Sequence, residues 1–137
     1  MKRVAALVFH APVGGSVGER VVEEARRAST RGLCGALRAC GLEPIVVAPA
    51  HVAREHPFDA EIRTPDEASE QTFHFGRALQ HLIADLDLGG LLYFGSGSGG
   101  LLSQEELREL VDFVRADATS AVVNNVYSCA FAAFADA

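Results

Sequence analysis

The segment Gly95-Ser-Gly-Ser-Gly-Gly100 is the part of the sequence best suited to hold a ligand. It stands between a buried apolar run and a helix start. Because glycine carries an entropic cost on folding, so many glycines are hard to explain by a connection alone. A backbone without side chains can approach a bound group closely. The predicted lining residues are Gly95, Ser96, Gly97 and Ser98. The alternative is a permissive loop.

A second glycine-rich segment, residues 10–20, follows the first apolar run of the chain. Its spacing is neither G-x-G-x-x-G nor that of a P-loop, since no Gly-Lys-Ser/Thr follows. Exposed glycine amides can nevertheless stabilise phosphate charge, and an arginine lies close by. We predict a phosphate site at Gly14, Gly15, Gly18 and Arg20. A flexible surface turn is the alternative.

A third polar segment, residues 124–128, follows the short apolar run Ala121-Val-Val123. Asparagine amides and tyrosine hydroxyls both donate and accept hydrogen bonds, so they can read a base or a sugar. Hydrogen bonds to a base or a sugar are predicted for Asn124, Asn125 and Tyr127. Turn formation explains the asparagines equally well.

Two sets of metal-binding residue types are present, and neither is predicted to bind a metal. Asp85 and Asp87 imitate a cation-binding carboxylate pair, but they precede the apolar run at 91–94. They are therefore expected at the opposite edge of the sheet from the loops, as a solvated helix end. His74 and His81 share a helical face, but no third zinc ligand accompanies them.

The elements that position these loops alternate between short apolar runs and stretches of helical periodicity. Continuous apolar runs are typical of strands buried on both faces, and this alternation is typical of βα units. Strands are predicted at residues 3–9, 45–48, 60–63, 91–94 and 121–123, and helices at about 19–40, 64–86 and from 103 onward. Gly32 and Gly35 are expected to split the first helix. The predicted fold is an α/β three-layer Rossmann-like sandwich with a mainly parallel sheet, whose ligands bind at the carboxyl ends of the strands.

Composition limits the function classes. The 137 residues, 49% of them hydrophobic, suit a single domain spanning 1–137. A net charge of -6 argues against a nucleic-acid partner. No apolar stretch approaches the length of a membrane span, and the three cysteines lack C-x-x-C spacing, which favours a cytoplasmic protein with reduced thiols. Association into a homo-oligomer stays open.

The apolar ending, residues 130–137, lacks a helix stop or a polar tail. We interpret it either as a final docked helix or as a chain truncated within a larger fold.

Three segments together resemble a known family: Phe73-His-Phe-Gly-Arg-Ala-Leu79, Leu91-Leu-Tyr-Phe-Gly-Ser-Gly-Ser-Gly-Gly-Leu-Leu102 and Val122-Val-Asn-Asn-Val-Tyr-Ser128. Their order is similar to that in the nucleotidyltransferase-like, glycosyltransferase A fold, in particular the group of molybdenum-cofactor guanylyltransferase and related NTP transferases. The resemblance implies a nucleotide-diphospho-sugar transferase type of fold. It also implies an NTP or nucleotide-sugar ligand, and transfer of a nucleotidyl group to a phosphorylated acceptor.

The sequence departs from that family at two places. Where the family has a metal-binding aspartate after the fourth strand, residues 95–100 contain no carboxylate, so Mg²⁺ would lack its expected ligand. The glycine-rich loop after the first strand lacks the usual following lysine and leaves Arg20 in its place. Without the metal, nucleotidyl transfer should be severely slowed. One alternative function is therefore a catalytically inactive nucleotide-binding or regulatory module. A third possibility is an unrelated flavodoxin-like or Rossmann-like domain, in which case the order of strands in the sheet would differ.

Overall fold

The structure, a computed structural model, describes residues 3–11, 15–65, 75–95, 97–98, 102–116, 120–123 and 131–135. The strands are β1 (Arg3–Phe9), β2 (Pro44–Val47), β3 (Glu61–Arg63), β4 (Leu88–Phe94), β5 (Ser120–Val123) and β6 (Phe131–Ala135). The helices are α1 (Val17–Ala39), α2 (Ala50–Glu55), α3 (Phe75–Asp85) and α4 (Gln104–Arg115). The predicted alternation of strands and helices is confirmed from β1 to β5, and α2 is an additional short helix. Of the helix predicted at 64–86, α3 accounts for 75–85, Thr64 and Pro65 are not helical, and residues 66–74 lie outside the described residues.

The six strands form one sheet in the order β3-β2-β1-β4-β6-β5. The pairs β1–β2, β2–β3 and β1–β4 are parallel. Strand β6 is antiparallel to both of its neighbours, β4 and β5. Strand β5 therefore runs in the same direction as β1, β2 and β4, which confirms the predicted mainly parallel sheet.

Residues 131–135 correct one of the two interpretations of the chain's ending, because they form a strand and not a helix. Phe131 and Phe134 are three residues apart, which is a helical spacing. In the strand they point to opposite faces of the sheet, and each packs against a different half of the core. Strand β6 fills the position between β4 and β5, so hydrogen bonds to both neighbours satisfy its backbone.

The core lies on the two faces of the sheet, which gives the predicted three layers. On one face, buried side chains of α1 and α4 pack with Val52 of α2 and the inward residues of the central strands. On the other face, α3 contributes Leu82, and Leu86 follows it. Strands β1, β2 and β4 lie between these layers, which is why their sequences are apolar at consecutive positions.

Two capping boxes set where the longer helices begin. At α4, the Ser103 side chain accepts a hydrogen bond from the Glu106 amide and the Glu106 side chain accepts one from the Ser103 amide, as predicted. Ser16 and Glu19 form the same arrangement at α1.

Helix α1 continues through Gly32 and Gly35, so the predicted break of this helix is wrong. The chain leaves it at Gly41, with φ +76.

Among the described residues, no helix combines the length and apolarity needed to cross a membrane.

Candidate functional site at the carboxyl edge of the sheet

Helix α1 extends past the carboxyl edge of the sheet. It has 23 residues against seven in β1, so it is about 34 Å long beside a strand of about 23 Å. Its second half packs in the core, and its first turns are exposed, with Val17 at 78% and Val21 at 66% exposure. The start of α1 therefore forms a wall beside the loops that follow β1 and β4.

The first predicted loop is partly described. Gly15 precedes the α1 cap and is exposed, whereas Gly18 lies in the first turn of α1 and not in a loop. Arg20 folds back so that its Nε donates to the carbonyl oxygen of Gly15 at 3.2 Å. Gly14 falls outside the described residues.

The second predicted loop forms a tight turn directly after β4. The Gly95 carbonyl oxygen accepts the Ser98 amide at 3.2 Å and the Ser98 hydroxyl at 2.7 Å. Gly97 has φ +79, a backbone conformation that side-chain-bearing residues rarely adopt. Glycine is therefore required at this position by the turn itself. Ser96 lies outside the described residues, as do Asn124, Asn125 and Tyr127 of the third segment.

A network of polar side chains, buried at its His10 end, joins β1 to α1 and was not predicted from the sequence. The His10 side chain is completely buried, and its Nε2 lies 3.0 Å from Oε1 of Glu23. The same oxygen accepts a hydrogen bond from Nε of Arg27 at 2.9 Å, while Arg27 NH1 reaches Oε2 of Glu55 at 2.7 Å. The i,i+4 spacing of Glu23 and Arg27 was a sequence signal for their pair. Nothing in the sequence connected either residue with His10.

The network shifts the proton affinities of its members. Burial raises the pKa of the Glu23 carboxyl, but the hydrogen bonds from Arg27 and His10 and the positive charge of Arg27 outweigh burial, so the net shift is downward. Hydrogen bonds to Glu23 and Glu55 raise the pKa of Arg27. Both groups are therefore held in their charged forms at neutral pH.

Arg26 lies where the two glycine-rich loops meet. Its NH1 donates to the carbonyl oxygen of Ala11, in the loop after β1, at 3.3 Å. On the β4 side, its Cγ is 3.8 Å from the position that a Cβ on Gly97 would occupy. Arg26 makes no ion pair with any carboxylate of the described residues. Its position in the site was missed, because helical periodicity places it on α1 without showing which loops pack there.

An aromatic cluster occupies the same edge of the sheet on the opposite face. The rings of Phe9, Phe75 and Tyr93 stand 4.9 to 5.5 Å apart between centroids, tilted or edge to face. Phe75 is 38% exposed, so part of this cluster meets solvent.

Asp85 and Asp87 lie at the other edge of the sheet, as predicted. Asp87 directly precedes β4, and its carbonyl oxygen accepts the amide of Arg3 at the beginning of β1 at 3.0 Å. The length of β4, about 23 Å, separates it from Gly95. These carboxylates therefore cannot serve the glycine-rich loops.

The described residues at the carboxyl edge do not fit a magnesium ion, which prefers carboxylate and phosphate oxygens. Glu23 uses Oε1 for Arg27 and His10, and its Oε2 is buried away from the surface with no hydrogen-bond partner among the described residues. Glu19 closes the α1 capping box, and the Ser98 hydroxyl donates to Gly95. Across the described ranges, no group of three or more His, Cys, Asp or Glu side chains could hold a metal.

No protein-family model matches this sequence, and no curated protein matches it. Solved structures do match its fold. A protein assigned as a nucleotide-diphospho-sugar transferase from Desulfovibrio desulfuricans G20 superposes with a TM-score of 0.70 at 12% identity. The match covers 98% of this chain and 64% of that one, so the chain spans less than two thirds of the similar protein.

Two further structures are similar. CMP:2-keto-3-deoxy-manno-octonic acid synthetase, solved in complex with CTP, has a TM-score of 0.60 at 11% identity over 88% of this chain and 51% of that one. 4-Diphosphocytidyl-2C-methyl-D-erythritol synthase from Anaerococcus prevotii DSM 20548 has a TM-score of 0.50 at 13% identity, over 97% and 70%. At these identities the likeness establishes the fold, which is a mixed α/β fold of the nucleotide-diphospho-sugar transferase type.

Proposed function

We propose that this domain binds an NTP or a nucleotide-sugar at the carboxyl edge of its sheet. The observation that carries the proposal is the meeting of two glycine-rich loops at Arg26, which contacts the Ala11 carbonyl oxygen and packs beside Gly97. Loops at the carboxyl ends of parallel strands form the usual ligand site of such sheets. The similar structure solved with CTP supports the same ligand class.

In this proposal the loop before α1 and the first turn of α1 hold phosphate groups, and the turn after β4 forms the floor of the site. The phosphate-binding residues are Gly14, Gly15, Gly18 and Arg20. The floor is formed by residues 95–98, and the acceptor or ribose is contacted by Asn124, Asn125 and Tyr127. The narrower relationship to the molybdenum-cofactor guanylyltransferase group belongs to the proposal as well.

If the domain is active, it transfers a nucleotidyl group to a phosphorylated acceptor with release of pyrophosphate. The second candidate function is a nucleotide-binding or regulatory module without turnover. The poor fit of the described residues to magnesium favours the module, because transfer would lack the cation that neutralises charge on the reacting phosphate.

Thermal unfolding with a panel of ATP, CTP, GTP, UTP and nucleotide-sugars tests binding. A ligand that binds only the native state stabilises it by about 2.7 kcal/mol at a hundredfold excess over Kd. Pyrophosphate release with Mg²⁺ or Mn²⁺ and phosphorylated acceptors then separates the candidates. Turnover establishes the enzyme, protection without turnover establishes the module, and absence of protection by every compound refutes both.

A further inference from the structure

Helix α1 presents two stripes of side chains that serve different neighbours. One stripe contains Arg27, Arg31 and Arg38, which contact Glu55, the Pro57 carbonyl oxygen and Asp59 respectively. The other stripe faces α4, where Ser29, Leu33 and Ala36 line a depression of about 250 Å³ together with residues 102–104 and Leu107.

The two arginines near the glycine-rich loops lie on different stripes. Arg20 precedes Arg27 by seven residues, nearly two helical turns, and therefore shares the α2-facing stripe. Arg26 precedes Leu33 by seven residues and lies on the α4-facing stripe, which explains why it, and not Arg20, packs beside Gly97. The arginine that packs beside the turn after β4 is thus Arg26.

The charges around Arg26 leave it available for an anion. The nearby carboxylate Glu23 already pairs with Arg27 and His10, and Glu55 pairs with Arg27. The contact that Arg26 makes, at 3.3 Å to the Ala11 carbonyl oxygen, involves one of its several N–H groups and leaves its charge uncompensated by any described carboxylate. A guanidinium offers planar, paired donors that match phosphate oxygens.

We infer that Arg26 contacts the phosphate of the bound nucleotide and that this contact makes nucleotide binding independent of a divalent metal. The inference rests on the proposed function and deepens it. Arg26 supplies positive charge from the protein at the turn after β4, where the described turn residues Gly95, Gly97 and Ser98 carry no carboxylate to hold a cation. The glycine at 97 leaves the space beside the arginine stem open for the ligand.

The test compares wild-type protein with Arg26→Gln, Arg26→Lys and a matched control, Arg31→Gln. Arg31 lies on the same helix and also donates to a backbone carbonyl oxygen, at 3.0 Å, but on the other stripe. The probes are inorganic triphosphate and the nucleoside triphosphate that gives wild-type protein the largest thermal shift. Each Kd is measured by calorimetry with MgCl₂ and with excess EDTA.

We expect wild-type protein to bind the nucleotide equally well with EDTA and with MgCl₂. Arg26→Gln should weaken binding about tenfold or more, because a charge-assisted hydrogen bond is lost. Arg26→Lys should retain part of the affinity, since it keeps the charge without the planar fork. Arg31→Gln should bind as wild type does.

Loss of wild-type binding in EDTA, or wild-type affinity in Arg26→Gln, would overturn this inference while leaving the proposed nucleotide site standing. Absence of binding by every nucleotide and nucleotide-sugar would refute the proposed function itself. Thermal unfolding without ligand separates these outcomes from misfolding, and Arg26→Lys provides a second variant if Arg26→Gln is unstable.

Discussion

Nε2 of His10 and Oε1 of Glu23 lie 3.0 Å apart although thirteen residues separate them in the sequence. His10 directly follows β1 and its amide donates to the Val47 carbonyl oxygen, so its ring is fixed relative to the sheet. Glu23 belongs to α1. The contact therefore attaches the second turn of α1 to the carboxyl end of β1, beside the two glycine-rich loops.

Glu23→Gln should destabilise the protein at neutral pH and lose that effect in acid. The folded-state pKa of Glu23 is lowered, so its stabilising contribution is present above the unfolded pKa of about 4.3 and disappears as pH falls through the folded value. Denaturant unfolding of both proteins between neutral pH and acid measures this. Glu24→Gln, at an exposed neighbouring position, is the control. A difference between wild type and Glu23→Gln that does not change with pH would contradict the assignment.

Gly90→Ala should destabilise the fold by about 1–3 kcal/mol. A Cβ at this position would lie 2.5 Å from the Val114 carbonyl oxygen and 3.4 Å from that of Phe134. Both neighbours are backbone atoms, which cannot move aside as a side-chain end could. The free energy of unfolding from denaturant melts checks this, and a neutral effect would show that α4 does not approach β4 so closely.

Gly35→Ala should have the opposite sign and stabilise by about 0.5–1 kcal/mol. Gly35 lies inside α1, and a Cβ there would meet nothing within 4 Å. The substitution then mainly reduces the conformational entropy that the chain loses when it folds. Comparison of the two variants separates the effect of close packing, at Gly90, from that of helix propensity, at Gly35. Destabilisation by Gly35→Ala would show that this face of α1 is covered by another part of the protein.

Ser103→Ala should cost about 1 kcal/mol, because it removes the hydroxyl that caps α4. Leu107, Val111 and Val114 of that helix are buried, so loss of the cap affects global unfolding. Ser16→Ala removes the same type of cap from α1, but the first turns there are exposed. It should therefore change global stability less and instead increase amide exchange over the first turns of α1. If Ser16→Ala and Ser103→Ala lowered the free energy of unfolding equally, the start of α1 would not be an exposed segment that extends past the sheet.

Cys34 should resist alkylation in the native protein. Burial raises the pKa of its thiol to about 11, so at pH 8 only about a thousandth of it is the reactive thiolate. Cys40 is half-buried and should react first. Peptide mapping after timed iodoacetamide treatment measures both rates, with urea-unfolded protein as the reference. Rapid native labelling of Cys34 would mean that the interface between α1 and the sheet opens readily.

The sequence alone determined the parts of this fold that depend on local chemistry. Continuous apolar runs identified β1, β2 and β4, which are buried because they contact a layer on each face. The shorter runs at 60–63 and 121–123 also predicted strands, and these form the two more exposed edges of the sheet. Ser103 and Glu106 identified the start of α4, because a capping box is formed by residues of one short segment. The order of these elements predicted a mainly parallel sheet with its loops at the carboxyl edge, and it also placed Asp85 and Asp87 at the opposite edge.

Only the tertiary structure decided what depends on contacts between distant segments. The spacing of Phe131 and Phe134 is helical, but residues 131–135 form a strand because β4 and β5 both hydrogen-bond to them. Helical periodicity placed Arg20 and Arg26 on α1, but the packing of that helix determined which of them reaches the turn after β4. The pairing of His10 with Glu23 likewise arose from the crossing of two elements, which no local pattern encodes.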